Sequence, residues 1–162
     1  MEKSDEALIL LRQIIRATDM QEKEISRSTG LTLPQLMVMQ TLRNNSPITT
    51  GELAKEISLT QATVTSILDR LEKKGLVARE RGVDDKRKVW LHLTNDGWEL
   101  MKGAPTTQQS LFTRRFDDMQ NWEQSMVVSA LERVAFMLDA QHLDAAPVLD
   151  IGQLDRTETT AG

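Results

Sequence analysis

Between Thr60 and Gly75 the chain writes one helix with two chemically different sides. Val64, Ile67, Leu68 and Leu71 recur at three- and four-residue spacing and fall together on a wheel turned about 100° per residue. Ala62, Thr65, Ser66, Asp69 and Lys73 fall opposite, with Gln61, Thr63 and Arg70 flanking them. Thr60 suits the N-cap, and Gly75 suits the left-handed residue that follows a helix. Such a helix must bury its apolar stripe and leave a small, polar surface near its N-terminus. That surface fits a DNA major groove, where glutamine can pair with adenine and hydroxyls reach bases or phosphates. A merely solvated helix face has the same composition, so the neighbouring segments must decide between the two.

Upstream, Thr49-Thr50-Gly51-Glu52 has the form of a capping box and opens a short helix carrying Leu53, Ala54 and Ile57, with Ser58-Leu59 as the turn into the next helix. Downstream, residues 76–79 and 89–93 read as two strands, and Gly82 helps the charged turn between them. At its tip stand Asp85, Lys86, Arg87 and Lys88. An arginine there can enter the minor groove, where A·T-rich stretches concentrate negative potential. Asp85 beside phosphates is costly unless it orients Arg87 or a neighbouring basic side chain. An ordinary charged turn is the competing reading of the hairpin taken alone.

The flanks read as helices. Leu8, Leu11, Ile14 and Ile15 place an amphipathic helix over residues 5–27, ended by Ser28-Thr29-Gly30. A second helix starts near Leu33-Pro34 and runs to Arg43. Thr94 caps a long helix that Gly103-Ala104-Pro105 interrupts, and a last helix runs from about Trp122 to Ala140. Met37, Met39, Met126 and Met137 lie on apolar stripes and read as core filling. The tail, 143–162, is polar.

A net charge of −4 argues against a nucleic-acid binder only on average. Residues 31–102 hold 11 basic against 9 acidic side chains, whereas residues 103–162 hold 4 against 9. Local basic surface, rather than overall charge, is what phosphate contact needs. Cysteine is absent, which removes disulfides, thiolate metal sites and thiol switches. No apolar run reaches the roughly 18–20 residues of a membrane span, and the start lacks the pattern of a secretory leader; a cytoplasmic protein is expected. His92 and His142 are too scattered for a metal cluster, and no phosphate loop or nucleophile–base pair stands out. No enzyme, cofactor or metal is expected.

The order of helices, helix-turn-helix, strand, Asp-Lys-Arg turn, strand and Leu93-Thr94-x-x-Gly97 resembles the MarR family of winged-helix transcriptional regulators. The matching residues are Leu53-Ala54, Thr63-Val64-Thr65, Leu71 to Val77, Arg79, Asp84 to Arg87, and Gly97. The resemblance implies a mainly α fold with a small β-wing, in which residues 31–97 form the DNA-binding lobe of a single 1–162 domain and residues 5–27 and 98–142 supply dimerisation helices. It implies a homodimer on double-stranded, pseudo-palindromic DNA, usually as a repressor and often released by a small ligand. Gln61, Ala62, Thr63, Thr65, Ser66 and Arg70 would serve the major groove, Lys86, Arg87 and Lys88 the wing, and Asp85 its orientation. The sequence names no effector; Trp98, Met101 and Phe112 are candidates to line a pocket, and equally to be core. The stretch His142 to Asp150 is similar to the end of a branch linked to compatible-solute genes, which would make the signal osmotic or ionic. The alternative class is a winged-helix protein-interaction module without DNA binding.

Overall fold

The computed structural model describes residues 1–143, so the expectations for the tail, including the similarity of His142 to Asp150, lie almost wholly outside the described residues. Seven helices and three strands follow in the order α1 (Lys3–Thr29), α2 (Leu33–Asn45), β1 (Ile48–Thr49), α3 (Thr50–Glu56), α4 (Gln61–Lys73), β2 (Val77–Arg81), β3 (Val89–Leu93), α5 (Asn95–Lys102), α6 (Gln108–Asp117) and α7 (Asn121–Met137). The contacts divide the chain into two compact units, with the boundary between Pro105 and Thr106. At Gly103-Ala104-Pro105, where a kink or a short break is expected, the helix breaks: residues 103–107 are non-helical, and α5, α6 and α7 follow one another.

In the first unit, α2 is the hub. Leu36, Val38, Met39 and Leu42 are fully buried, and they meet an apolar set from α3 and α4 that includes Leu53, Val64, Leu68 and Leu71. The entry to α2 is a full capping box, unremarked in the sequence reading: Gln35 N–H donates to Thr32 Oγ1, and Thr32 N–H donates to the Gln35 side chain at 3.1 Å. Residues 46–49, expected as plain turn and cap, instead supply β1. Ile48 pairs with Leu91 and Thr49 with Trp90, making an antiparallel sheet of order β1-β3-β2. A two-residue strand has no periodicity to read; its partner in β3, more than forty positions away, defines it. The strand expected over 76–79 is β2, which runs to Arg81 because Glu80 and Arg81 pair with Trp90 and Val89.

The expected box at Thr49 and Glu52 is present, with Thr49 N–H donating to the Glu52 carboxylate at 2.9 Å. That bond, then the Thr49 hydroxyl, with Lys88 contributing from a distance, lowers the Glu52 carboxyl below its ordinary value of 4.5. The depressed group contributes stability above its unfolded pKa, and the contribution fades as pH falls through the lower folded value. Thr49→Ala is expected to cost about 1 kcal/mol through the lost cap and to return the Glu52 titration, followed by NMR, toward 4.5. An unmoved titration would refute this account of the cap.

The Leu-Thr-x-x-Gly motif has a packing reason. Thr94 Oγ1 donates to Gly75 O at 2.6 Å and accepts from Gly97 N–H, while Thr94 N–H donates to Leu76 O. A Cβ on Gly97 would collide with that same Leu76 carbonyl. The first turn of α5 is therefore locked onto the end of α4.

In the second unit, α6 and α7 are joined by Gln124, whose Nε2 donates to Phe116 O at 2.9 Å, and Phe112 stacks on Phe116. Neither helix has a buried residue. Met126 and Met137, expected in the core, are 59% and 68% exposed; only Met39 and Met101 of the methionines are buried. Periodicity identifies a helix's apolar side but not whether a single chain covers it.

Candidate nucleic-acid interface

Helix α4 turns its apolar stripe inward as expected, with Val64, Leu68 and Leu71 at zero exposure and Ile67 at 2%. Gln61, Ala62 and Thr65 are exposed at its N-terminal end, and Thr63 and Ser66 are half-buried. Two hydroxyls are already committed. Thr65 Oγ1 donates to Gln61 O at 2.8 Å, and Thr63 Oγ1 shares a 2.8 Å bond with Thr60 Oγ1. With its hydrogen spent, Thr65 offers an acceptor oxygen and a methyl group, suited to a base amino group or a thymine methyl. Thr60 caps the helix through Thr63 N–H. Ser58, at φ 55°, supplies the left-handed residue that turns α3 into α4.

Arg70 lies about one turn beyond Ser66 on α4. It is half-buried and lines a groove with residues of α1 and α2.

The wing loop spans residues 82–88. Gly82 N–H donates to Lys88 O at 2.8 Å, and Lys88 N–H to Asp85 O at 3.1 Å. A Cβ on Gly82 would stand 2.5 Å from Asp85 O, which is why glycine closes this loop. Asp85 does orient Arg87, through the backbone: its Oδ1 accepts from Arg87 N–H at 3.0 Å. This Asx turn leaves the Arg87 guanidinium exposed and without an ion pair among the described residues. Lys86 is also exposed, and Lys88 Nζ lies 5.8 Å from the Trp90 ring centre, a cation–π contact that steadies it against the sheet.

The structure adds a residue to which the sequence gave no role. Arg79, on β2, ion-pairs with Asp69 at 2.8 Å, stands 3.8 Å from Glu72 and reaches Thr65 O at 3.5 Å, all on α4. It clasps the reading helix to the wing. Asp69 and Glu72 share a helix face three residues apart, but nothing local tells which of the many basic residues they meet. Arg79→Ala is expected to change stability by less than about 1 kcal/mol, since the pair is partly solvated. DNA affinity should fall more than that, two- to tenfold, and Arg79→Lys should recover part of it. An affinity loss no larger than the stability loss would make Arg79 structural only.

Residues 31–89 match the MarR family. That match spans α2 through the wing, the segment that holds both exposed clusters. The chain is 27% identical over 124 residues to the HTH-type transcriptional regulator YsmB of Bacillus subtilis, covering 76% of this chain and 85% of YsmB. It is 35% identical to the HTH-type transcriptional regulator MgrA of Staphylococcus aureus over 72 residues, 44% of this chain and 49% of MgrA. Among solved structures, a MepR-like protein complexed with pseudoligands superposes with a TM-score of 0.57 at 25% identity, covering 85% of this chain and 97% of that one. The fold is that of the MarR-type winged-helix regulators, and the relatives are transcriptional regulators, not enzymes.

Of the pocket-lining candidates, Met101 is core at 2% exposure, whereas Trp98 and Phe112 are 44% and 49% exposed. Among the described residues no group of acidic or histidine side chains could hold a metal ion, and no helix is long and apolar enough to cross a membrane.

Proposed function

We propose that this chain is a sequence-specific, DNA-binding transcriptional regulator that reads a pseudo-palindromic operator as a homodimer and acts as a repressor in the cytoplasm. The observation that carries the reading is the pairing of two clusters, on α4 and on the wing, within one compact unit. The small polar end of α4 can enter a major groove, and the solvent-facing Arg87, fixed by Asp85, can enter the adjoining minor groove. Gln61, Ala62, Thr65 and Ser66 are assigned to base edges; Lys86 and Lys88 are assigned to phosphates. Thr63 and Arg70 complete the major-groove set; Arg70 also lines a groove beside α1.

The dimer is supported by uncovered apolar surface. Leu8, Leu10, Ile14 and Ile15 on α1 are each at least half exposed, as are Trp122, Met126, Leu131 and Phe136 on α7. Surfaces of this kind favour self-association, and a two-fold dimer would set two reading helices about 34 Å apart, one DNA turn. An osmotic or ionic signal would follow the similarity of residues 142–150 to the branch linked to compatible-solute genes. A small-ligand effector is suggested by the pseudoligands named for the MepR-like neighbour.

Mobility-shift titration against fragments flanking the chain's own gene, with sedimentation of the free protein, tests the proposal. One shifted species per palindrome and a dimeric free protein are expected, with affinity falling steeply as salt rises. Binding that stays non-specific at low salt would favour the protein-interaction module instead.

A further inference from the structure

Strand β2 leaves the end of α4 and runs out to the wing loop, and its residues divide between the two sides of the sheet. Val77, Arg79 and Arg81 alternate onto one side, Ala78 and Glu80 onto the other. Contacts fix which side is which. Val77 pairs with Leu93 and Arg79 with Leu91, and Val77, Leu91 and Leu93 are buried. Arg79 reaches Asp69, Glu72 and the Thr65 carbonyl of α4. The side that carries Arg79 therefore faces the reading helix. Glu80 pairs with Trp90, whose ring Lys88 approaches, on the opposite side.

Arg81 is the next residue on the helix-facing side, about 7 Å beyond Arg79 toward the loop. It sits where the sheet leaves the core: its partner Val89 is half-buried, and Arg81 itself is exposed. Asp69 and Glu72 are already engaged by Arg79. The Arg81 side chain makes no ion pair or hydrogen bond among the described residues. A guanidinium with its fork unspent, between a reading helix and a wing, matches a phosphate diester, which accepts two parallel N–H bonds.

Duplex geometry says which phosphate. A helix in the major groove and a loop in the adjoining minor groove straddle one sugar-phosphate strand. We infer that Arg81 grips that intervening strand, a contact that fixes how helix and wing seat together and reads no base. The inference rests on the DNA reading of α4 and the wing, and adds the anchor between them.

Mobility-shift titration of the whole chain over a series of salt concentrations tests it, with a duplex from beside the chain's own gene and a scrambled duplex of equal length. Arg81→Gln is expected to weaken both about tenfold at low salt, the size of one charge-assisted hydrogen bond. The slope of log affinity against log salt should become shallower by about one, with base preference and melting temperature unchanged. Arg81→Lys keeps the charge and should restore most of the slope. Duplexes carrying one neutral methylphosphonate locate the contact: a position on the strand between the two grooves should weaken wild type and leave Arg81→Gln indifferent. Equal affinity and slope for wild type and Arg81→Gln overturns the anchor. So does a changed base preference, a lowered melting temperature, or the lack of any methylphosphonate position to which the variant is blind. Failure of wild type to bind either duplex at low salt is a different result: it removes the DNA reading itself, and the anchor with it.

Discussion

Arg87→Ala is expected to weaken operator binding by about 1–3 kcal/mol, roughly five- to 150-fold in affinity, while the melting temperature stays where it is. The partition follows from the wing's construction. What holds the loop is backbone: Gly82 N–H to Lys88 O, Lys88 N–H to Asp85 O, and Arg87 N–H to the Asp85 carboxylate. The guanidinium takes part in none of these bonds and carries no ion pair among the described residues. Removing it subtracts a minor-groove contact and leaves the fold intact. Competition binding with A·T-rich and G·C-rich flanks provides the measurement, and the loss should be larger on A·T-rich flanks, where the narrow groove rewards arginine. Equal affinity for wild type and variant would take the wing out of the interface.

Leu68→Ala is expected to do the reverse. Leu68 is fully buried in the middle of α4, among the α2 and α3 side chains. Truncation loses the transfer energy of the removed groups and leaves a cavity, about 2–5 kcal/mol in all. The melting temperature should drop by on the order of 10 °C. Below that temperature, base preference should be unchanged, because Gln61 and Ala62 are exposed at the N-terminal end of α4, more than a turn before Leu68. A variant that melts like wild type would show that the core closes over the gap; one that changes its base preference would show that packing steers the reading face.

The contrast between these two residues explains how much was legible beforehand. An apolar stripe at helical spacing reports its own helix, so α4, its Thr60 cap and the inward set Val64, Ile67, Leu68 and Leu71 were readable to within a residue. The wing was readable because turn chemistry is local: a glycine, an aspartate two residues before Arg87, and a run of basic side chains. Asp85 accepts from the Arg87 backbone N–H, where the sequence suggested a basic side chain. Other expectations failed for one shared reason. Met126 and Met137 carry the pattern of core residues but lie on a helix that the single chain does not cover. Ile48 and Thr49 form a strand only because Leu91 and Trp90 stand opposite.

By itself, then, the amino-acid order determined which segments are helices, which longer segments are strands, and which of their sides are apolar, because caps, turns and periodic stripes act over four residues or fewer. Only the tertiary structure decided which charges meet. Arg79 finds Asp69 across the gap between β2 and α4, Gly97 presses on the Leu76 carbonyl, and Lys73 faces Arg27 over a groove built from three helices. Each of those pairings depends on how packed elements lie, and electrostatic and steric forces over a few ångströms cannot be read from positions ten to fifty residues apart in the chain.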